Sequence, residues 1–294
     1  MLGRLKKRWW VNLALLALVA TLVLLVVFEP GKKQPETLPK LTNVSTDMVV
    51  RVRLLRPGLE DITLEKGPAG WRLSAPLKAR ANDFVVDNLL RLLSAEINAT
   101  ITTGGQAPGG YGLEPPRARV FLGDEEFAFG DLHPLKNQVY VRYRNQVYLV
   151  PGHFFGPAAY PVTRYLSPRL FEEGRQPVAF KLPGLQLVRK EGVWQREPAD
   201  KNLSSDQIND FVQDWRNASA LDVDRYSGKP LSDRVQILFE GEGGKVERLA
   251  LGIVSFKPEF VVYREDEGLE YRFPEETGKR LLTLSAPSTD EAKK

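Results

Sequence analysis

Residues 70–73, GWRL, return at residues 193–196 as VWQR, with Trp71 and Trp194 lying 123 positions apart. The same offset carries Val139-Tyr140 onto Val262-Tyr263, and Val85, Leu89 and Leu92 onto Ile208, Val212 and Trp215. Gly130 and Gly252 match at 122, a slip of one residue at a hairpin. Strand, helix and strand signals recurring in one order at one spacing point to a duplicated module. The period is far longer than that of solenoid repeats, so two large copies are expected rather than an array.

Within the first copy, residues 48–53 (MVVRVR) and Leu54 alternate, setting Val50, Val52 and Leu54 against Arg51 and Arg53. That is the two-residue period of a half-buried strand. Residues 61–66 and 71–74 read as two more strands, bounded by Pro57-Gly58 and Gly67-Pro68. Asn82 or Asp83 then caps a helix reaching about Ile97, with Val85, Leu89, Leu92 and Leu93 as its apolar stripe. Residues 102–116, TTGGQAPGGYGLEPP, form a loop. The runs 118–122, 126–130, 139–144 and 146–150 predict an antiparallel meander, with Gly123-Asp124 and Arg144-Asn145 at its tight turns. An aromatic and proline-rich segment, residues 151–168, closes this part.

The second copy follows from the first: strands near 178–182, 185–190 and 193–196, then a helix capped by Ser204 or Ser205. Ser204 and Gln207 make an S-x-x-Q capping box. Strands at 235–240, 246–251, 260–264 and 269–273 complete the unit, and Pro274 suits the first turn of a short helix, 274–282. The predicted fold class is α+β, each copy a mainly antiparallel sheet with one packed helix. The first repeat is placed at 48–172, the second at 173–286, and a mobile tail at 287–294. Two copies meeting about a pseudo-twofold axis would enclose a groove.

Ahead of the repeats stands WWVNLALLALVATLVLLVVF, residues 9–28, which holds no charge. Its twenty positions at 1.5 Å rise match a bilayer core of roughly 30 Å. Thirteen of the eighteen residues from 11 to 28 are Leu, Val or Phe. Insertion of these is favourable by about 4 to 8 kcal/mol before other costs. The run is therefore expected to be a transmembrane helix that stays uncleaved, because VVFEPGKK offers no small-residue cleavage pair. Arg4, Lys6, Lys7 and Arg8 precede it in a basic stub, residues 1–8, which places the N-terminus in the cytoplasm and Trp9 and Trp10 at the inner headgroup layer. Residues 29–47 carry Pro30, Pro35 and Pro39 and read as a periplasmic tether reaching up to roughly 60 Å. The expected location is the inner membrane of a bacterium, single-pass, with the repeats in the periplasm and membrane lipid as one partner.

Charge excludes one class of partner. The first 33 residues hold six of the 41 basic residues and one of the 37 acidic ones, so the remainder is close to neutral. A nucleic-acid footprint is not supported. With no cysteine there is neither a disulfide framework nor a thiolate nucleophile.

Chemistry-bearing patterns are sparse. His133 lies in DLHP and His153 in PGHFFG, both in expected loops without further ligands at zinc spacing. No G-x-S-x-G elbow occurs, and the glycine-rich loop lacks both G-K-[ST] and G-x-G-x-x-G. The runs Asp124-Glu125-Glu126 and Glu265-Asp266-Glu267 fall in hairpin turns, where solvated charge is expected. No catalytic, metal or cofactor-binding residue is assigned, and the chain is read as non-enzymatic. Tyr140, Tyr143, Tyr148, Phe154, Phe155, Tyr160 and Tyr165 fall within twenty-six residues. Phe154, Phe155 and Tyr160 lie outside the regular strands and are the candidates for an exposed partner-binding patch.

FEPG at residues 28–31, GWRLSAPLKARAN at 70–82 and YGLEPPRARVFL at 111–122 resemble the domain of unknown function 4340 family over nearly the whole length. The shared motifs are structural and transfer no site residue. The resemblance implies an envelope accessory protein, since members are similar to proteins encoded beside ABC transporters of the gliding-motility type. The expected partner is then an ABC-type permease or auxiliary subunit. The alternative is a tethered binding module for a glycan, lipid or peptide in the groove between repeats.

Overall fold

The structure, a computed structural model, describes residues 3–28, 38–101 and 108–284. The expected tether falls partly, and the expected tail wholly, outside these residues, as does the start of the glycine-rich loop. The chain divides into two compact units, Met1–Pro39 and Lys40–Lys294. The first holds helix α1 (Gly3–Phe28). Arg4, Lys6, Lys7 and Arg8 lie on its opening turns, and Trp9 and Trp10 follow with exposed rings packed edge to face. Its side chains at residues 13–24 are exposed. Among the described residues, no helix is long and apolar enough to cross a membrane.

The second unit opens with β1 (Arg51–Leu55), β2 (Ile62–Gly67), β3 (Gly70–Ala75), β4 (Ala79–Arg80) and α2 (Asp83–Leu90). It continues through β5 (Ala99–Ile101), β6 (Ala118–Leu122), β7 (Glu125–Leu132), β8 (Gln138–Tyr143), β9 (Gln146–Pro151) and the short α3 (Phe155–Ala159). Its second half runs through β10 (Pro177–Leu182), β11 (Leu185–Lys190), β12 (Val193–Glu197), α4 (Ser205–Arg216) and β13 (Asp222–Arg225). Then come β14 (Asp233–Glu240), β15 (Val246–Ser255), β16 (Glu259–Arg264), β17 (Leu269–Pro274) and α5 (Glu275–Leu282).

These strands form two antiparallel sheets, ordered β4-β3-β2-β1-β6-β7-β8-β9-β5 and β12-β11-β10-β14-β15-β16-β17-β13. With β4 set aside the two orders coincide. Trp71 pairs with Lys66, and Trp194 pairs with Arg189, so this hairpin keeps the 123-residue offset on both of its strands. The later hairpin does not. Phe129 with Val141 and Leu251 with Arg264 keep the offset on β8, but Val141 pairs with Tyr148 whereas Val262 pairs with Tyr271, so β9 departs from it by two residues. The cause is turn length: residues 144–145 join β8 to β9, but residues 265–268 join β16 to β17.

Local chemistry explains most element ends. Gly123 and Arg144 take positive φ, 62° and 53°, at the turns from β6 to β7 and from β8 to β9. In the second half, Ser204 Oγ accepts from the Gln207 N–H at 3.2 Å and Gln207 Oε1 accepts from the Ser204 N–H at 2.9 Å. Two departures have physical causes. Val50 is exposed and Val49 buried, because a 3-10 turn over Thr46–Met48 resets the alternation just before β1. Helix α2 stops at Leu90, passing into a 3-10 turn over Arg91–Ser94, and does not reach Ile97. The carbonyls of Leu93 and Ala95 are taken by the Thr42 and Leu41 N–H groups, and Asn98 N–H by Leu149, which draws the chain into β5.

One continuous cluster of buried side chains runs through both halves. Trp215, fully buried, stacks on Phe171 from the connecting segment at 6.1 Å and donates its Nε1–H to the Leu281 carbonyl at 2.8 Å. The aromatic candidates join this core. Phe154 is 8% exposed, and Phe155 and Tyr160 are half-buried against it. Phe154 is thus too buried to stand on an exposed patch, whereas Phe155, which reaches Phe129 at 6.3 Å, and Tyr160 keep part of their surface.

Candidate functional site

The junction between the two sheets is built on β4, whose two residues pair with Leu73 and Arg72 of β3. The connecting segment is then stitched to both halves. Ser167 N–H donates to the Arg80 carbonyl at 3.0 Å, while Leu170 N–H donates to Ala218 at 2.9 Å and Pro168 accepts from Ala220 at 2.8 Å. The hairpin from β16 to β17 reaches across to the same place. Its turn residues meet the side chain of Arg80, 187 positions earlier in the chain.

Arg80 Nε donates to Glu267 Oε1 at 2.7 Å and Nη2 to Glu267 Oε2 at 3.2 Å, a two-pronged pair. Nη2 also reaches the Arg169 carbonyl at 2.8 Å and the Tyr271 hydroxyl at 2.9 Å, and that hydroxyl donates to Glu267 Oε2 at 2.6 Å. Arg264 lies alongside, 1% exposed. Its Nη1 donates to the Leu170 carbonyl at 2.7 Å, its Nη2 to Glu172 at 3.0 Å, and its Nε to Asp266 at 2.8 Å. Arg175 completes the set by donating to the other oxygen of Glu172 at 3.0 Å.

Burial penalises the charges of Arg80, Glu172, Arg264 and Glu267, and the opposing charges outweigh that penalty. Burial alone would raise the Glu172 carboxyl, yet Arg264 and Arg80 hold it down at about 2. Burial likewise opposes ionisation of Glu267, but its hydrogen bonds to Arg80 keep it below the usual carboxylate range. Arg80 is raised despite desolvation, by the Glu267 hydrogen bond, and burial pushes the Tyr271 hydroxyl up. The groups are thus ionised carboxylates, guanidinium groups and a neutral phenol, bonded to each other. They offer no free base, and their chemistry is that of a latch.

Over the latch opens a cavity of about 360 Å³ between β3, the start of α2 and the connecting segment. Arg72, Arg80, Asp83, Phe84, Arg169 and Glu172 are among the residues that line it.

The histidines lie elsewhere. His133 Nδ1 accepts from Leu135 N–H at 3.2 Å and its ring stacks on Tyr140 at 5.9 Å, while His153 packs on Phe154 at 4.2 Å. Among the described residues no group of three or more His, Asp or Glu is placed to hold a metal. Glu267 corrects the reading of its turn as solvated charge, for its side chain is 3% exposed. A signal for this existed: Arg264 follows the apolar run FVVY of its strand, just before a turn longer than its counterpart.

Fold and junction together define a two-sheet α+β protein whose halves are held by a buried, charge-saturated latch. The family model described as Domain of unknown function (DUF4340) matches residues 71–232, more than half of the 294-residue chain, and the chain belongs to that family. The match spans β3 to the edge of β14 and so includes Arg80 and the connecting segment but not Arg264 or Glu267. No curated protein and no solved structure matches the chain.

Proposed function

We propose that this protein is a non-enzymatic, membrane-tethered extracytoplasmic subunit that docks on the permease or an auxiliary subunit of an ABC-type transporter, or on another envelope complex. The observation that carries the reading is α1, an apolar helix whose described side chains face outward, Leu16 at 73% exposure. A hydrocarbon phase is the environment that suits such a surface, and the uncharged run of residues 9–28 is long enough to span it. The basic residues ahead of that run favour a cytoplasmic N-terminus. The non-enzymatic part is supported by the latch, where the buried ionisable groups are consumed by one another. Duplication of one module is supported by the shared strand order of the two sheets.

A second reading is favoured by the cavity over the latch: a tethered module that captures a glycan, lipid or peptide between the repeats. Co-purification of the full chain in mild detergent, with crosslinking, tests the first. Recovery with a membrane-protein partner is expected, and recovery only as a lone monomer across several detergents would overturn it. Protease shaving of spheroplasts carrying a C-terminal tag tests the tether. The tag should be cleaved, and a protected tag would reverse the topology.

A further inference from the structure

We infer that the cavity over the latch binds an uncharged saccharide unit, with Phe84 as the platform for its ring. This rests on the second reading above and chooses among its three ligand classes.

Charge makes the first selection. Three guanidinium groups line the cavity, those of Arg72, Arg80 and Arg169, against three carboxylates, those of Asp83, Glu172 and Glu173. Arg80 is paired to Glu267, Arg169 to Glu173 at 3.1 Å, and Glu172 to Arg264 and Arg175. With three charges of each sign the lining carries no net charge, so a ligand with net charge gains no overall attraction to offset the hydration it loses. Hydrogen-bonding capacity makes the second. Arg80 Nη1 and the Arg72 guanidinium have no hydrogen bond or ion pair among the described residues, so the walls offer donors. Asp83 gives Oδ1 to the Trp71 N–H at 3.2 Å and keeps Oδ2 as an acceptor. Asn82, whose side chain caps nothing, and the hydroxyls of Ser167 and Ser219 can serve either way. A sugar hydroxyl both donates and accepts, so a ring of them suits mixed walls of this kind.

Phe84 makes the third. It is the second residue of α2, it lines the cavity, and at 72% exposure it packs its ring against almost nothing. The C–H face of a pyranose covers an aromatic ring and meets its electron-rich face, while the hydroxyls turn to the polar walls. A volume of about 360 Å³ lies at the small end of the roughly 300–1,000 Å³ found for ligand pockets, which suits one or two sugar rings.

The test is thermal shift and saturation-transfer NMR on the full chain in a detergent without a sugar headgroup. The probes are cellobiose, maltose and N,N′-diacetylchitobiose, with dialanine, a short-chain phosphatidylcholine and sulfate as comparators. At least one disaccharide should stabilise the protein and give transfer at its ring protons. Phe84→Ala should weaken that binding at least tenfold, and Phe84→Tyr should restore it; because Phe84 is exposed, neither variant should lower the unliganded melting temperature. A shift from dialanine, the lipid or sulfate alone would overturn the saccharide and leave a binding cleft. No shift from any probe would overturn both the saccharide and the cleft as a binding site, and a response unchanged in Phe84→Ala would overturn the platform.

Discussion

The β8–β9 hairpin of the first sheet and the β16–β17 hairpin of the second occupy the same place in their strand orders and do different things. The first turns through residues 144–145 and ends in solvent, with the Arg144 side chain 74% exposed. The strand leading to it closes on Tyr143, which stacks on Phe127 at 5.0 Å and donates its hydroxyl to Glu125 at 2.7 Å. The second turns through residues 265–268, closes its strand on Arg264, and plants Glu267 against Arg80 in the other half. Two added turn residues and one guanidinium in place of a phenol convert a solvent-facing turn into the tie between sheets. An apolar tie of similar volume would hold as well or better, but it would accept many registers. We attribute to the charged tie the selection of one register.

The strongest way to break that comparison is Glu267→Ala. It leaves Arg80 and Arg264 with Glu172 alone between them, at 3.5 and 3.0 Å, and loss of one partner from a buried pair costs about 3–5 kcal/mol. Arg144→Ala, at the corresponding turn of the first sheet, should stay within about 0.5 kcal/mol. Urea unfolding of both variants checks this, and equal midpoints would show that the latch adds no stability.

Acid makes a milder version of the same break. Glu172 and Glu267 have folded values below their unfolded ones, so their contribution is fully present above about 4.5, the unfolded carboxylate range. It fades as pH falls, for Glu172 through about 2. Urea midpoints measured from pH 7 to pH 2.5 should decline more steeply in the natural protein than in Glu172→Gln. Parallel profiles would detach the acid response from the latch.

How far the sequence reveals this difference follows from where each signal lives. Local patterns are legible: the Ser204 and Gln207 box, the alternation at Val52 and Leu54, and the stripe of Ile208, Val212 and Trp215 each lie within one element. The short edge strands β4, β5 and β13 are not, because two to four residues cannot display a period. The latch is the least legible part. Arg80 lies in KAR and Glu267 in an EDEG turn, and nothing local to either reports a partner 187 residues away. Duplication leads one to expect a groove, but it does not say which side chains line it. Phe154 is hidden for a related reason: leaving the strands did not expose it, because the 3-10 turn over Gly152–Phe154 returns it to the core.

Two glycines in corresponding strands differ in what lies over them. A Cβ on Gly130 of β7 would lie 2.1 Å from the backbone oxygen of Tyr111, and one on Gly252 of β15 would lie 2.5 Å from the Leu231 side chain. A carbonyl held by the chain path cannot swing aside, whereas a leucine can change rotamer. Gly130→Ala should therefore cost about 1–3 kcal/mol and Gly252→Ala distinctly less. Thermal melts of the two variants check the order, and a reversal would mean that the segment over β7 yields more easily than the leucine over β15.

The smallest contrast concerns how the two main helices begin. Helix α4 starts on a reciprocal pair of local bonds between Ser204 and Gln207, so Ser204→Ala should cost about 1 kcal/mol. Helix α2 starts on Asn82, whose side chain makes no capping bond. Its backbone does the work: the Asn82 N–H donates to the Tyr165 carbonyl at 2.8 Å, and its carbonyl accepts from Val85 at 3.0 Å and Val86 at 3.1 Å. Asp83 adds a tie to Trp71 of β3. One helix thus begins by local chemistry and the other by docking, and Asn82→Ala should cost only a few tenths of a kcal/mol. Because the docking contacts reach Tyr165, next to the junction, hydrogen exchange in the first turn of α2 should quicken in Glu267→Ala while the first turn of α4 keeps its protection. Equal exchange in both turns would mean that the start of α2 does not depend on the latch.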